Sequence, residues 1–118
     1  MVHQLGMASD GILRLMFIGD TDKLGAEALI ADFGPYLAHA TVENPLCILW
    51  DDTRGGKASS EVRKFYADLN SDPRIGKVAI FGAKHYGRVL GEFILKFTGR
   101  DNIRFFDTQE QALSWLKE

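Results

Sequence analysis

Residues 46–56 read LCILWDDTRGG. The first five, Leu46 to Trp50, are apolar without alternation. An apolar run of that length marks a strand buried on both faces, as in a parallel sheet covered by helices. The chain then turns polar in one step, and residues 51–60 (DDTRGGKASS) read as a strand-end loop closing at a helix start. Residues 77–82 (KVAIFG) and 103–106 (IRFF) repeat the buried-strand pattern.

Segments of helical period separate these strands. Val62, Phe65, Tyr66 and Leu69 lie at i, i+3, i+4 and i+7, one apolar stripe. Tyr86, Val89, Leu90, Phe93, Ile94 and Phe97 form a wider one, with Gly87 and Gly91 on the same helix. Each glycine costs up to about 1 kcal/mol of helix propensity, which points to close packing against the sheet, a ligand or a second subunit. Thr108 and Gln111 make a capping box for a last helix that buries Ala112, Trp115 and Leu116. A first helix starts near Thr21-Asp22 and carries Leu24, Ala28, Leu29 and Phe33. Gly34-Pro35 should break or kink it, because the residue before proline resists the α region. Tyr36 to Ala40 would then be a second helical piece. Upstream, residues 2–6 and 11–18 flank Ser9-Asp10-Gly11, a hairpin signal.

The element order is ββαβαβαβα. It predicts a single α/β domain over 1–118, a three-layer sandwich. Its sheet is mixed, mostly parallel and five-stranded, with an N-terminal antiparallel hairpin and four to five helices.

Composition narrows the function. The 118 residues carry 14 basic and 16 acidic side chains, a net charge of −2. That balance offers no basic excess for nucleic acid. No apolar run is long enough to span a membrane, and the start MVHQLGMASD has no signal-peptide core. The single cysteine, Cys47, cannot form an internal disulfide, which suits a cytoplasmic location. With His3 and His39 it shows no metal-ligand spacing, so neither metal nor other cofactor is expected.

Ligands of open α/β sheets bind outside the carboxyl ends of the parallel strands. Three loops qualify: Gly19 to Asp22, Asp51 to Ser60, and Gly82 to His85. The middle one is not a P-loop, since Asp51 stands where the first glycine should and Ala58 follows Lys57. Nor is it a phosphorylatable receiver site, which needs a lysine on a later strand end. Gly82 to Gly87 lacks dinucleotide-binding spacing. Ser59 or Ser60 reads as a helix N-cap, Asp51-Asp52 as a solvated strand end or Asx turn, and Arg54 to Lys57 as an exposed mobile loop. Phe93, Phe97, Phe105 and Phe106 read as core residues, and Cys47 as a buried thiol. No Ser–His–acid or Cys–His set can be assembled, so no catalytic residue is assigned.

Four features, in order, resemble the small SpoIIAA-like proteins, grouped with STAS domains and the lipid-binding CRAL-TRIO fold. These are Phe17-Ile18-Gly19-Asp20-Thr21 entering a helix, LCILWDDTRGG, Lys77 to Gly82, and Arg104 to Asp107 followed by Ala112-Leu113-Ser114-Trp115-Leu116. The resemblance covers nearly the whole chain. It implies a largely parallel sheet with helices and a regulatory interaction role, but no reaction. Some STAS proteins are switched by phosphorylating a serine in an Asp-Ser-Ser-Gly-like turn at a helix start. Here Ser59-Ser60 follow Lys57-Ala58 and precede Glu61-Val62. The CRAL-TRIO side implies an apolar ligand between sheet and helix.

Three hypotheses follow. The favoured one is a non-enzymatic regulatory or ligand-binding module, with an apolar small molecule or a regulatory protein as partner. Its ligand-binding candidates are Trp50, Asp51, Asp52, His85 and Tyr86, the ligand lying near the Tyr86–Phe97 helix. The second is a small enzyme using Asp51 or Asp52 with His85 as acid–base groups, which must then converge within hydrogen-bond reach. The third is a phospho-switched, anti-sigma-antagonist-like partner with Ser59 or Ser60 as acceptor. Small α/β domains often bury an edge or helix face between copies, so a homodimer is a further expectation.

Overall fold

Asp10 turns the chain back on itself at the first hairpin. Its Oδ1 accepts the Ile12 N–H at 3.0 Å, and both its oxygens receive the Arg14 guanidinium at 3.0 and 2.9 Å. Arg14 holds this carboxyl well below the usual range, at about 2. Gly11 takes the left-handed backbone the turn requires, at φ +80°. The hairpin joins β1 (Val2–Met7) to β2 (Leu13–Thr21) in antiparallel register, Leu5 opposite Leu15. The computed structural model describes residues 2–118.

The remaining elements alternate: α1 (Lys23–Ala38), β3 (Leu46–Ala58), α2 (Ser60–Asn70), β4 (Ile75–Phe81), α3 (His85–Thr98), β5 (Ile103–Phe106) and α4 (Gln109–Leu116). The sheet runs β1-β2-β3-β4-β5, parallel from β2 onward. Right-handed crossovers that advance steadily in one direction put α1, α2 and α3 on the same face. Among the described residues, only α4 covers the other face. The sandwich is therefore three-layered, with four helices among the described residues.

Side chains alternate between two cores. Leu13, Leu15, Phe17, Ile48, Trp50, Val78, Ile80 and Ile103 point toward α1–α3 and meet Leu29, Phe33, Tyr66, Leu90 and Ile94. Ile12, Leu49, Ala79 and Phe81 point the other way, onto Ala112, Trp115 and Leu116 of α4. Cys47 is half-buried on that second side. Half of the expected capping box of α4 forms: Thr108 accepts the Gln111 N–H at 3.2 Å, but the Gln111 side chain accepts the N–H of Asp107, one residue before the cap, at 3.3 Å.

Four expectations need correction. First, α1 does not break at Gly34-Pro35 but runs on to Ala38. Phe33 and Leu37 sit four apart and are both buried against the sheet, so packing holds the backbone helical across an exposed proline that forfeits one N–H. Second, the buried seam of α1 is Ala26, Leu29, Phe33 and Leu37, while Leu24 is 75% exposed and Ala28 is also exposed. Third, Phe97 is not core: it is 49% exposed and stacks on Phe93 with ring centres 6.0 Å apart. Fourth, residues 51–58 of the expected strand-end loop, with Arg54 to Lys57 among them, are not a loop, and neither are Gly19, Asp20 and Thr21. Both segments are strand, paired Ile18 to Arg54, Gly19 to Gly55 and Thr21 to Ala58. Asp20 locks this extension, its Oδ1 accepting the Lys57 backbone N–H at 2.8 Å. A methyl on Gly56 would collide with that carboxylate, so glycine here permits close approach rather than flexibility.

Candidate functional site

Past Trp50, β3 alternation sends its two adjacent acids to opposite faces of the sheet. Asp51 folds into an Asx turn, accepting the Thr53 N–H at 2.9 Å and its hydroxyl at 2.6 Å. It lies on the α4 side, at a recess of about 390 Å³ shared with Arg14, Met16 and Gln109. Asp52 lies on the α1–α3 side with Trp50 and is only 6% exposed. Trp50 Nε1 donates to Asp52 Oδ1 at 3.2 Å. Among the described residues, Asp52 has no cation within ion-pairing distance.

Two glycines make room for this carboxylate. A methyl on Gly55, in β3, or on Gly87, in the first turn of α3, would collide with it. Gly91, one turn further on, lets α3 settle on Phe105 and Ile80. The helical glycine pair thus serves close packing, the first of the three uses its spacing allowed. Burial pushes the Asp52 carboxyl up to about 6; the Trp50 N–H opposes the rise and Asp51 adds to it.

Trp50 itself is core, 4% exposed, with its ring centre 5.1 Å from that of Phe17. His85 and Tyr86 open α3 and are exposed, their ring centres 5.5 Å apart. Lys57 Nζ stands 5.3 Å from the Tyr86 ring centre and ties the β3 extension to α3. The fold therefore gathers Trp50, Asp52 and the start of α3 on one side and leaves Asp51 on the other. Among the described residues His85 makes no hydrogen bond to either acid.

The start of α2 lies at the same end of the sheet. Ser59 is its N-cap, its Oγ accepting the Val62 N–H at 3.2 Å. Ser60 Oγ accepts from Arg63 at 3.1 Å. Both serines are exposed. Lys23 of α1 reaches Glu61 of α2 at 3.7 Å, and the neighbouring Leu24 of α1 is exposed.

A further feature was invisible in the sequence. Leu15, Phe33, Trp50, Tyr66 and Asn70 line an interior cavity of about 20 Å³ under α1 and α2, the space of a single water molecule. Tyr66 Oη and Asn70 Oδ1 are buried with no hydrogen-bond partner among the described residues. Burial raises the Tyr66 phenol above its ordinary range. Nothing in the α2 stripe foretold this, because the stripe marked Tyr66 only as core.

The family model for SpoIIAA-like proteins matches residues 12–117. The chain belongs to the SpoIIAA-like family. This SpoIIAA-like domain also resembles solved structures from end to end. An uncharacterised protein from Shewanella loihica PV-4 with a SpoIIAA-like fold is 21% identical with a TM-score of 0.72, over 98% of this chain and 92% of that one. The anti-sigma factor antagonist SpoIIAA in its unphosphorylated form is 15% identical with a TM-score of 0.68, over 98% of both chains. The Bacillus cell fate determinant SpoIIAA in its phosphorylated form is 18% identical with a TM-score of 0.64, over 98% of this chain and 99% of that one. At these identities the likeness is one of fold. No curated protein matches the chain. Among the described residues, no helix of this SpoIIAA-like domain is long and apolar enough to cross a membrane.

Proposed function

We propose that this SpoIIAA-like domain is a non-enzymatic regulatory module that docks a protein partner at the end of the fold where α2 begins. The observation that carries this reading is the pair of exposed serines at that helix start. Ser59 and Ser60 are the phosphorylation candidates. The α2 N-terminus, with Arg63 and Lys57, favours a phosphate there, and Glu61 opposes it. The existence of SpoIIAA in phosphorylated and unphosphorylated forms supports a switch of this kind.

The test is incubation of the purified chain with cell lysate and ATP, followed by peptide mass spectrometry. Phosphate on Ser59 or Ser60, lost in the matching Ser→Ala variant, supports the reading. Phosphate confined to other residues overturns the switch. Native mass spectrometry of the undelipidated protein distinguishes a bound apolar molecule, a homodimer and a bare monomer.

A further inference from the structure

The slot that holds Asp52 stands apart from the α2 docking reading. Its carboxylate is enclosed by the β3 extension on one side and the first turn of α3 on the other, with Gly55 and Gly87 as the walls. One donor, Trp50 Nε1, serves it. The charged groups on the elements that meet it are Asp51, Arg54 and Lys57 on β3, and Lys84, His85 and Arg88 around the start of α3. None of these basic groups pairs with Asp52 among the described residues. Asp51 is the one whose charge acts on it, and it disfavours ionisation.

A buried carboxylate with one donor and no cation has two ways to relieve its desolvation. It can hold a proton, or it can gain water. Only a sliver of it meets solvent, 6% of the residue, so fuller hydration requires the slot to widen, and the wall with fewer restraints is the start of α3. The other wall, β3, is held by β2 and by the Asp20 bond to Lys57. The start of α3 is held more lightly: its N-cap, Lys84, makes no side-chain capping bond, and its tie to β3 is the exposed contact of Lys57 with Tyr86.

We infer that Asp52 is a proton-linked latch: the protonated carboxyl keeps the first turn of α3 seated on β3, and loss of the proton loosens that turn. The turn carries Tyr86, which is 47% exposed, and Lys57 lies against it. Opening therefore changes the surface at the carboxyl end of the sheet. The direction follows from linkage. The seated form binds the Asp52 proton more tightly than an opened, hydrated form, so rising pH favours opening. With the carboxyl at about 6 when seated and near its ordinary value when open, the opening constant rises by up to about 100-fold across the transition.

The experiment is an NMR pH titration of the whole chain. It follows the Asp52 carboxyl carbon, the Trp50 indole N–H and the Gly55 and Gly87 amides. Hydrogen exchange at Arg88 to Leu90, corrected for intrinsic rates, reports opening of α3. The expected result is one shared midpoint near 6 and exchange that accelerates above it, both abolished in Asp52→Asn. Exchange at Arg88 to Leu90 that stays constant while Asp52 titrates overturns the latch. So does an Asp52 midpoint at the ordinary carboxylate value. If Asp52→Asn does not fold, these two readouts on the unmodified chain still decide the matter.

Discussion

The carboxylate of Asp52 occupies the space that a side chain on Gly87 would need. The two residues lie in different elements, and the same close approach buries the acid and seats α3. Removing either group therefore acts on the other.

Stability should fall as pH rises through the Asp52 transition. The folded-state carboxyl is raised to about 6 from an ordinary 3.8. The native state thus binds more protons than the unfolded one between those values. Its contribution is most favourable below pH 4, declines up to about pH 6 and is level above. Asp52→Asn should remove this slope and stabilise the protein at pH 7.5 by about 1–2 kcal/mol, roughly half the full linkage value, since solvent partly screens the charge. Urea unfolding at pH 4, 6 and 7.5 measures it; equal slopes in both proteins would refute the assignment.

Gly87→Ala should destabilise by about 1–3 kcal/mol through overpacking, despite the better helix propensity of alanine. Asp52→Ala should suppress much of that loss in the double variant. A double-mutant cycle on chemical denaturation reads the coupling, and strictly additive effects would show that the two groups do not touch.

Asp20→Ala should loosen the β3 extension without harming the cores. It removes the acceptor for the Lys57 N–H, at about 1 kcal/mol. Hydrogen exchange at Lys57 should accelerate while that at Ile48 and Ile80 follows only the change in global stability.

Ser59→Ala should cost about 1 kcal/mol as the loss of an N-cap. Ser60→Ala should be nearly neutral, because its bond to Arg63 is exposed. Thermal melts of the two variants separate the capping serine from its neighbour. Equal effects would contradict the capping geometry.

The strands and the order of elements along the chain were legible because hydrophobic pattern is a local quantity. Residues 46–50, 77–82 and 103–106 announced strands, although the last, at the sheet edge, leaves Arg104 exposed and its two phenylalanines only partly buried, and Asp10-Gly11 announced the hairpin. The caps at Ser59 and Thr108 were equally readable, since a cap depends on residues only three apart. Where local preference and packing conflict, only the assembled fold decides. Pro35 argued for a break, yet burial of Phe33 and Leu37 carried the helix through it. The segment Asp51 to Ala58 reads as a loop in composition, but β2 supplied the pairing partner and Asp20 the lock from 37 residues away. The fate of the two adjacent acids depended on the same long-range contacts. Strand alternation separates Asp51 from Asp52 only if the strand continues past Trp50, and Asp52 is desolvated only because α3 arrives with a glycine at its first turn. Pattern along the chain determines which segments are strand and helix; which polar groups end up dry is set by what the other elements bring to them in space.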